Sequence, residues 1–170
     1  EYFNSSGSTW YWFDESNIED ISALNTYTLP NLQILDLGHN DIGREGCIII
    51  ANLLQKEASA LECLYLDSTG VGDEEAEILA TSLKHNTKLE FLDLESNNMG
   101  ERGLGEFLKL LNDISSIERT YNSNHTLKLD LKVSGDVDDS DMLNEIKIAC
   151  MQNRQSTNPV AVGRAKVIRT

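Results

Sequence analysis

Basic side chains are scarce in this sequence: 14 Lys and Arg stand against 28 Asp and Glu, a formal net charge of -14. That sign is wrong for neutralising phosphates, which argues against a nucleic-acid partner and in favour of a basic one. Long apolar runs are missing too. The longest aliphatic run, Ile48 to Ala51, is four residues, against the roughly 18 to 20 that cross a bilayer as a helix. The chain therefore reads as soluble, with no membrane partner in this segment. Cysteine is sparse, and Cys47, Cys63 and Cys150 are odd in number and widely spaced. Such a set makes neither a disulfide framework nor a zinc signature, and the expected compartment is reducing and cytoplasmic. No Met opens the chain, and no charged stretch leads into an apolar one as in a targeting signal. The sequence reads as a fragment or a processed product. Its 170 residues suffice for one domain with a sizeable core.

What is present in abundance is a repeat. Leu32, Leu35, Leu37, Asn40 and Ile42 recur as Leu61, Leu64, Leu66, Thr69 and Val71, and again as Leu89, Leu92, Leu94, Asn97 and Met99, with periods of 29 and 28 residues. Gly43, Gly72 and Gly100 follow the three units, where a tight turn is expected. A fourth unit is read from Ile117, again 28 residues on, with Thr120, Asn122 and His125 where Leu, Leu and Asn should stand. It is a degenerate, terminal repeat.

Each LxxLxLxxNxL unit reads as a short strand whose leucines point inward, leaving the residues between them outside. The Asn falls where the chain leaves the strand, placed to satisfy backbone groups that a buried turn would orphan. Thr69 can do only part of this. Apolar residues at helical spacing follow in Arg44 to Lys56, Asp73 to Lys84 and Glu101 to Asn112, with Asp73 expected to cap its own helix. The fold class is thus α/β: a short solenoid arc, parallel sheet on the concave side and helices on the convex side, stabilised by stacking of coils.

These units resemble leucine-rich repeats of the ribonuclease-inhibitor type, the long helical variety also found in Ran GTPase-activating proteins and in the sensor ends of innate-immunity receptors. SIERTYNSNHTL, from Ser116 to Leu127, and the later MQNRQSTNPVAVGRAKVIRT further resemble the C-terminal end of a large group of eukaryotic repeat proteins of this kind. The resemblance implies a binding scaffold, or a regulator of an enzyme: a Ran-type GTPase activator or a ribonuclease inhibitor. For the Ran-type reading Arg44, Asn97, Asn98 and Arg102 are of suitable type. The inhibitors are rich in cysteine, and this chain has three.

Three regions are expected. Residues 1–28 are an aromatic flank read as the end of an upstream repeat, with Asn17 to Asn25 as its helix and seven of the eleven aromatics within residues 1–30. Residues 29–133 hold three regular repeats and one degenerate repeat, closed by a strand in which Leu127, Leu129, Leu131 and Val133 alternate with polar residues. Residues 134–170 form an acidic loop, a helix and a basic tail.

Chemistry finds little footing. An EF-hand loop opening at Asp136 would need Gly and Glu where Asp141 and Lys147 stand. Asp36 and Asp93 lie two strand spacings apart, about 9.5 Å, too far for one metal. The histidines share no ligand spacing, and the sequons at Asn4 and Asn124 are chance-level triplets. No catalytic residue, metal or cofactor is therefore assigned, and the chain is not read as an enzyme. The functional signal lies instead in the outward strand positions. Gln33, Glu62, Glu90 and Glu118 form one column, Ile34, Cys63, Phe91 and Arg119 the next, and Asp36, Tyr65, Asp93 and Tyr121 the third. Apolar and aromatic residues on a face the core does not need are a mark of protein interfaces. Ile34, Asp36, Glu62, Tyr65, Asp67, Glu90, Phe91, Asp93, Glu95, Glu118, Arg119 and Tyr121 are accordingly expected to bind a protein or peptide with a basic surface.

Overall fold

The computed structural model describes residues 2–3, 9–12, 21, 31–113, 123–131 and 141–155. Within them lie β1 (Tyr2–Phe3), β2 (Thr9–Trp12), β3 (Leu32–Asp36), α1 (Gly43–Gln55), β4 (Cys63–Tyr65), α2 (Asp73–Leu83), β5 (Phe91–Asp93), α3 (Glu101–Asn112), β6 (Lys128–Asp130) and α4 (Asp141–Gln155). The strands form one sheet in chain order. β2 to β6 pair in parallel, and β1 pairs antiparallel with β2 at the sheet's edge. Helices packed side by side cover one face, giving the expected horseshoe arc.

Sequence period becomes sheet register directly. Leu35, Leu64, Leu92 and Leu129 stand opposite one another, and all four are buried in a single core that runs from Ile21 to Cys150. Backbone pairing continues past each strand, since Leu37 N–H donates to Tyr65 O and His39 N–H to Asp67 O, and the next coil repeats this with Leu66 to Asp93 and Ser68 to Glu95. His39, Ser68 and Ser96 take φ of 60°, 55° and 56° at equivalent positions. The left-handed turn thus falls on these polar residues, and of the three glycines expected to turn the chain only Gly43 has positive φ. Gly72 and Gly100 are extended residues preceding α2 and α3.

The repeat asparagines do what their position suggested. Asn97 Nδ2 donates to Leu66 O at 2.7 Å and Leu94 O at 3.0 Å, while its Oδ1 accepts the N–H groups of Thr69 and Val71. Four backbone groups on two coils are satisfied by one side chain. Thr69 makes a single comparable bond, from Oγ1 to Leu66 O at 2.7 Å. A second set of such bonds runs along the return from helix to strand. Asn86 donates to Leu54 O and accepts from Lys88 and Leu89 N–H. Asn124 donates to Leu83 O and Asn86 O and accepts from Thr126 and Leu127 N–H, and Asn153 donates to Leu127 O.

Asp73 departs from expectation. Gly72 precedes the helix, Gly72 N–H is taken by Glu75, and Asp73 Oδ1 instead accepts Gly100 N–H and Gly103 N–H, both at 2.8 Å. Its carboxylate caps the neighbouring helix α3 rather than its own. Gly103 makes the approach possible, because a Cβ there would lie 2.8 Å from that same oxygen.

Both ends of the arc add detail that the repeat register did not carry. The aromatic run at 9–12 is strand β2, in register as Trp10 with Ile34 and Trp12 with Asp36, so the sheet begins upstream of the three regular units. Ile21 is helical and fully buried, near Gly46 of α1, and the rest of the expected helix at Asn17 to Asn25 lies outside the described residues. At the far end, 37 residues separate Phe91 from its partner Lys128, where 28 separate Cys63 from Phe91. The strand read as a closing element is therefore the fourth coil's own strand.

Candidate functional site

The outward face of the strands is set by alternation. Between the buried leucines, Ile34, Asp36, Cys63, Tyr65, Phe91 and Asp93 remain half-exposed, and Glu62 and Glu90 are exposed. Ile34, Cys63 and Phe91 stand side by side, and so do Asp36, Tyr65 and Asp93. Tyr65 and Phe91 touch diagonally, ring centroids 5.5 Å apart and planes tilted by 56°. Such a tilted contact is a favourable aromatic arrangement. It fixes both rings on the concave side.

The carboxylates are held as well. Asp36 Oδ1 accepts Gly38 N–H at 3.0 Å and Asp93 Oδ1 accepts Glu95 N–H at 2.9 Å. Each aspartate closes the turn that leaves its strand, a local role that the sequence reading missed although Asp two residues before a turn amide is a familiar signal. Asp67 leans over Gly38 and pairs with His39 at 3.3 Å. Glu62 accepts from Gln33 at 3.0 Å, and Glu90 faces Lys128 at 3.7 Å. Glu95 sits half-exposed at the mouth of the third turn.

Glu118, Arg119 and Tyr121 lie outside the described residues. The sheet positions that a constant period assigned to Arg119 and Tyr121 are filled by others: Lys128 stands beside Phe91 and Asp130 beside Asp93. The fourth coil is also one residue shorter at its start. Leu127, held by Asn124 as Leu89 is by Asn86, reaches its inward place only two residues before Leu129. The residue lost is the one that would have extended the column of Gln33, Glu62 and Glu90, so that column ends against a lysine. At the other end the backbone register sets Trp10 opposite Ile34 and Trp12 opposite Asp36, and the dense aromatic run was the signal that could have placed this strand.

Burial pushes the Asp93 carboxyl above its ordinary value, and the charges of Asp67, Asp130 and Glu95 add to this against the opposing Glu95 N–H. A raised carboxyl means the folded state holds the proton more tightly than the unfolded chain does, so this residue's contribution to stability improves as pH falls through the raised value and is unfavourable at neutral pH. Asp93→Asn, which retains an Oδ1 acceptor for Glu95 N–H, is expected to raise the thermal midpoint slightly at pH 7. That gain should vanish in acid, where the wild-type carboxyl is already neutral. Paired thermal melts at the two pH values check it. Burial also lifts the Tyr65 hydroxyl and the Cys63 thiol, with Glu62 and Glu90 adding to the latter. Tyr65 stays a phenol and Cys63 a thiol at neutral pH.

Other candidates have structural employment. All three cysteines are free, and burial, with Glu75 nearby, pushes Cys47 up to about 12. Cys150 Sγ accepts Leu129 N–H at 3.4 Å from α4. Asn124, the sequon residue, is buried with its amide committed to two carbonyls. Of the residues considered for a Ran-type activator, Asn97 is buried in the turn network, Arg44 pairs with Glu74 at 2.7 Å and Arg102 approaches Asp73 at 3.8 Å. Arg44 and Arg102 line an open groove of about 490 Å³ over α1 and α2, with Ile48 and Ile78, away from the outward strand face. Among the described residues no group of His, Cys, Asp and Glu could hold a metal ion, and no helix is long and apolar enough to cross a membrane.

Residues 28–51 and 85–108 match the Leucine Rich repeat family. Over 81 residues the chain is 38% identical to NACHT, LRR and PYD domains-containing protein 12 of Homo sapiens, covering 48% of this chain and 8% of that protein. The Mus musculus protein of the same name is 37% identical over 90 residues, 53% of this chain and 8% of its own length. NACHT, LRR and PYD domains-containing protein 2 of Homo sapiens is 33% identical over 90 residues, again 53% and 8%. The chain thus spans less than a tenth of these curated relatives. Among solved structures, Leiomodin-1 Actin-Binding Site 2 shares the fold, with TM-score 0.50 and 17% identity over 81% of this chain and 89% of that one.

Proposed function

We propose that the chain, a leucine-rich-repeat domain related distantly to the NACHT, LRR and PYD proteins, is a non-catalytic interaction module that docks a protein or peptide with a basic surface on its concave sheet. The observation that carries this reading is the Tyr65–Phe91 pair. Two half-exposed aromatics on a face the core does not use expose apolar area that a partner would cover. Asp36, Glu62, Asp67, Glu90, Asp93 and Glu95 surround the pair and supply attraction for a cation-rich surface. Ile34 and Cys63 continue the apolar row, and Asp130 continues the acidic one. Nothing in the placement of Arg44, Asn97 or Arg102 favours an enzyme regulator over this reading. The three free thiols support a reducing, cytoplasmic setting.

Carboxylates and aromatics should act at different stages of binding. Long-range charge governs encounter and is screened by salt, whereas a desolvated aromatic acts after docking. Glu90→Lys is therefore expected to slow association and flatten its salt dependence. Phe91→Ala should leave association nearly unchanged and speed dissociation by roughly tenfold or more, the usual size of a central anchor's loss. Binding kinetics with a captured partner at two salt concentrations separate the two. An acidic partner, or affinity indifferent to salt and to both substitutions, would put the interface elsewhere.

A further inference from the structure

Resting on the concave-face reading above, we propose that the partner's decisive side chain is an arginine, seated over the Tyr65 ring with its guanidinium between the carboxylates of Asp36 and Asp93. Register puts Asp36 and Asp93 on the strands either side of Tyr65, each about 4.8 Å away along the sheet. The ring is braced by its contact with Phe91 at 5.5 Å. Both carboxylates are restrained before any ligand arrives, because Gly38 N–H and Glu95 N–H each hold one oxygen, Oδ1, and these bonds do not use Oδ2.

The neighbouring acids are engaged differently. Asp67 already meets His39, and Glu90 already meets Lys128. Among the described residues neither Asp36 nor Asp93 has an ion-pair partner, and these two carboxylates flank the half-exposed Tyr65 ring. A cation is the occupant that this arrangement lacks.

The span selects which cation. Aspartates two strand spacings apart, about 9.5 Å, cannot share one metal ion or one ammonium, whose two contacts of about 2.8 Å reach less than 6 Å across. A guanidinium adds the width of its own fork, donates from both sides at once, and lies flat on an aromatic face. Lysine offers a point charge that would satisfy one aspartate and leave the other exposed to its acidic neighbours.

A phage-displayed library of random dodecapeptides, selected on the intact chain, tests this. Selected peptides are expected to share one arginine, and its replacement by lysine should weaken binding at least roughly fivefold, by citrulline more. Asp36→Asn with Asp93→Asn, a pair that keeps both Oδ1 acceptors and so the turns, should abolish the arginine preference. Tyr65→Leu should weaken binding about two- to fivefold, as loss of an exposed cation–π contact does. If selected peptides depend on Phe91 yet carry no preferred arginine, or accept lysine equally, the arginine seat is wrong while the concave interface stands. Binding indifferent to Phe91, Tyr65 and both aspartates would overturn the seat and the interface together.

Discussion

Leu64→Ala is expected to destabilise the chain by about 2 to 5 kcal/mol, the range for truncating a fully buried leucine. Leu64 is 0% exposed and stands between Leu35 and Leu92 in the sheet. A coil held on both sides by hydrogen-bonded neighbours cannot collapse into the vacated space, so the cavity term is retained nearly whole. Leu129→Ala provides the contrast. Leu129 lies on β6, which pairs with β5 and meets α4 through Cys150, and with a strand on one side only among the described residues the site relaxes more easily and the loss should be smaller. Against a total stability of about 5 to 15 kcal/mol for a domain, the central substitution is severe. Denaturant melts of the two variants measure the difference, and equal midpoints would mean that stacking between coils is not what stabilises the fold.

Asn97→Ala is expected to cost about 2 to 4 kcal/mol although it removes no apolar area, because it leaves buried donors and acceptors without partners. The side chain serves Leu66 O, Leu94 O, Thr69 N–H and Val71 N–H together, tying the second coil to the third. Asn97→Thr should recover part of the loss, since Thr69 already makes the short bond to its own coil's carbonyl. What threonine cannot restore is the pair of acceptor bonds across coils. Unfolding measurements on both variants should therefore rank wild type above Asn97→Thr above Asn97→Ala, and equal stability of all three would contradict the bridging role.

The regular coils were legible because each stretch between strand and helix repeats the same spacing. Expected helices at Arg44 to Lys56, Asp73 to Lys84 and Glu101 to Asn112 differ from α1, α2 and α3 by a residue at most at either end, and the inward leucines are all buried. Legibility failed where spacing changed. The fourth coil carries a longer excursion between α3 and β6, so counting 28 residues landed on Arg119 and Tyr121 rather than on Lys128 and Asp130. Alternation from Leu127 to Val133 pointed to the strand observed at Lys128–Asp130 without giving its place in the sheet. The aromatic strand β2 was hidden for a different reason: after Thr9, TWYW is three successive aromatics with no polar residue between them to mark alternation. At the candidate site, the columns through Ile34, Cys63 and Phe91 and through Asp36, Tyr65 and Asp93 followed from period alone. The turn bonds of Asp36 and Asp93 follow a local signal, an Asp two residues before a turn amide, that the repeat period does not contain, whereas the reach of Asp73 to a neighbouring helix is a contact between coils that no one-dimensional pattern encodes.

Whether the concave sheet is where a partner sits is tested most directly by hydroxyl-radical footprinting of the chain alone and with a captured partner. Cys63, Tyr65 and Phe91 are readily oxidised, half-exposed reporters on the strand face. Met151 on α4 and Ile48 on α1 report on the helices, at 57% and 42% exposure. Concave binding predicts that the partner suppresses oxidation at Tyr65 and Phe91 and leaves Met151 and Ile48 unchanged. Unaltered oxidation of Tyr65 and Phe91, with protection at Ile48 or Met151, would place the interface on the helices and contradict it.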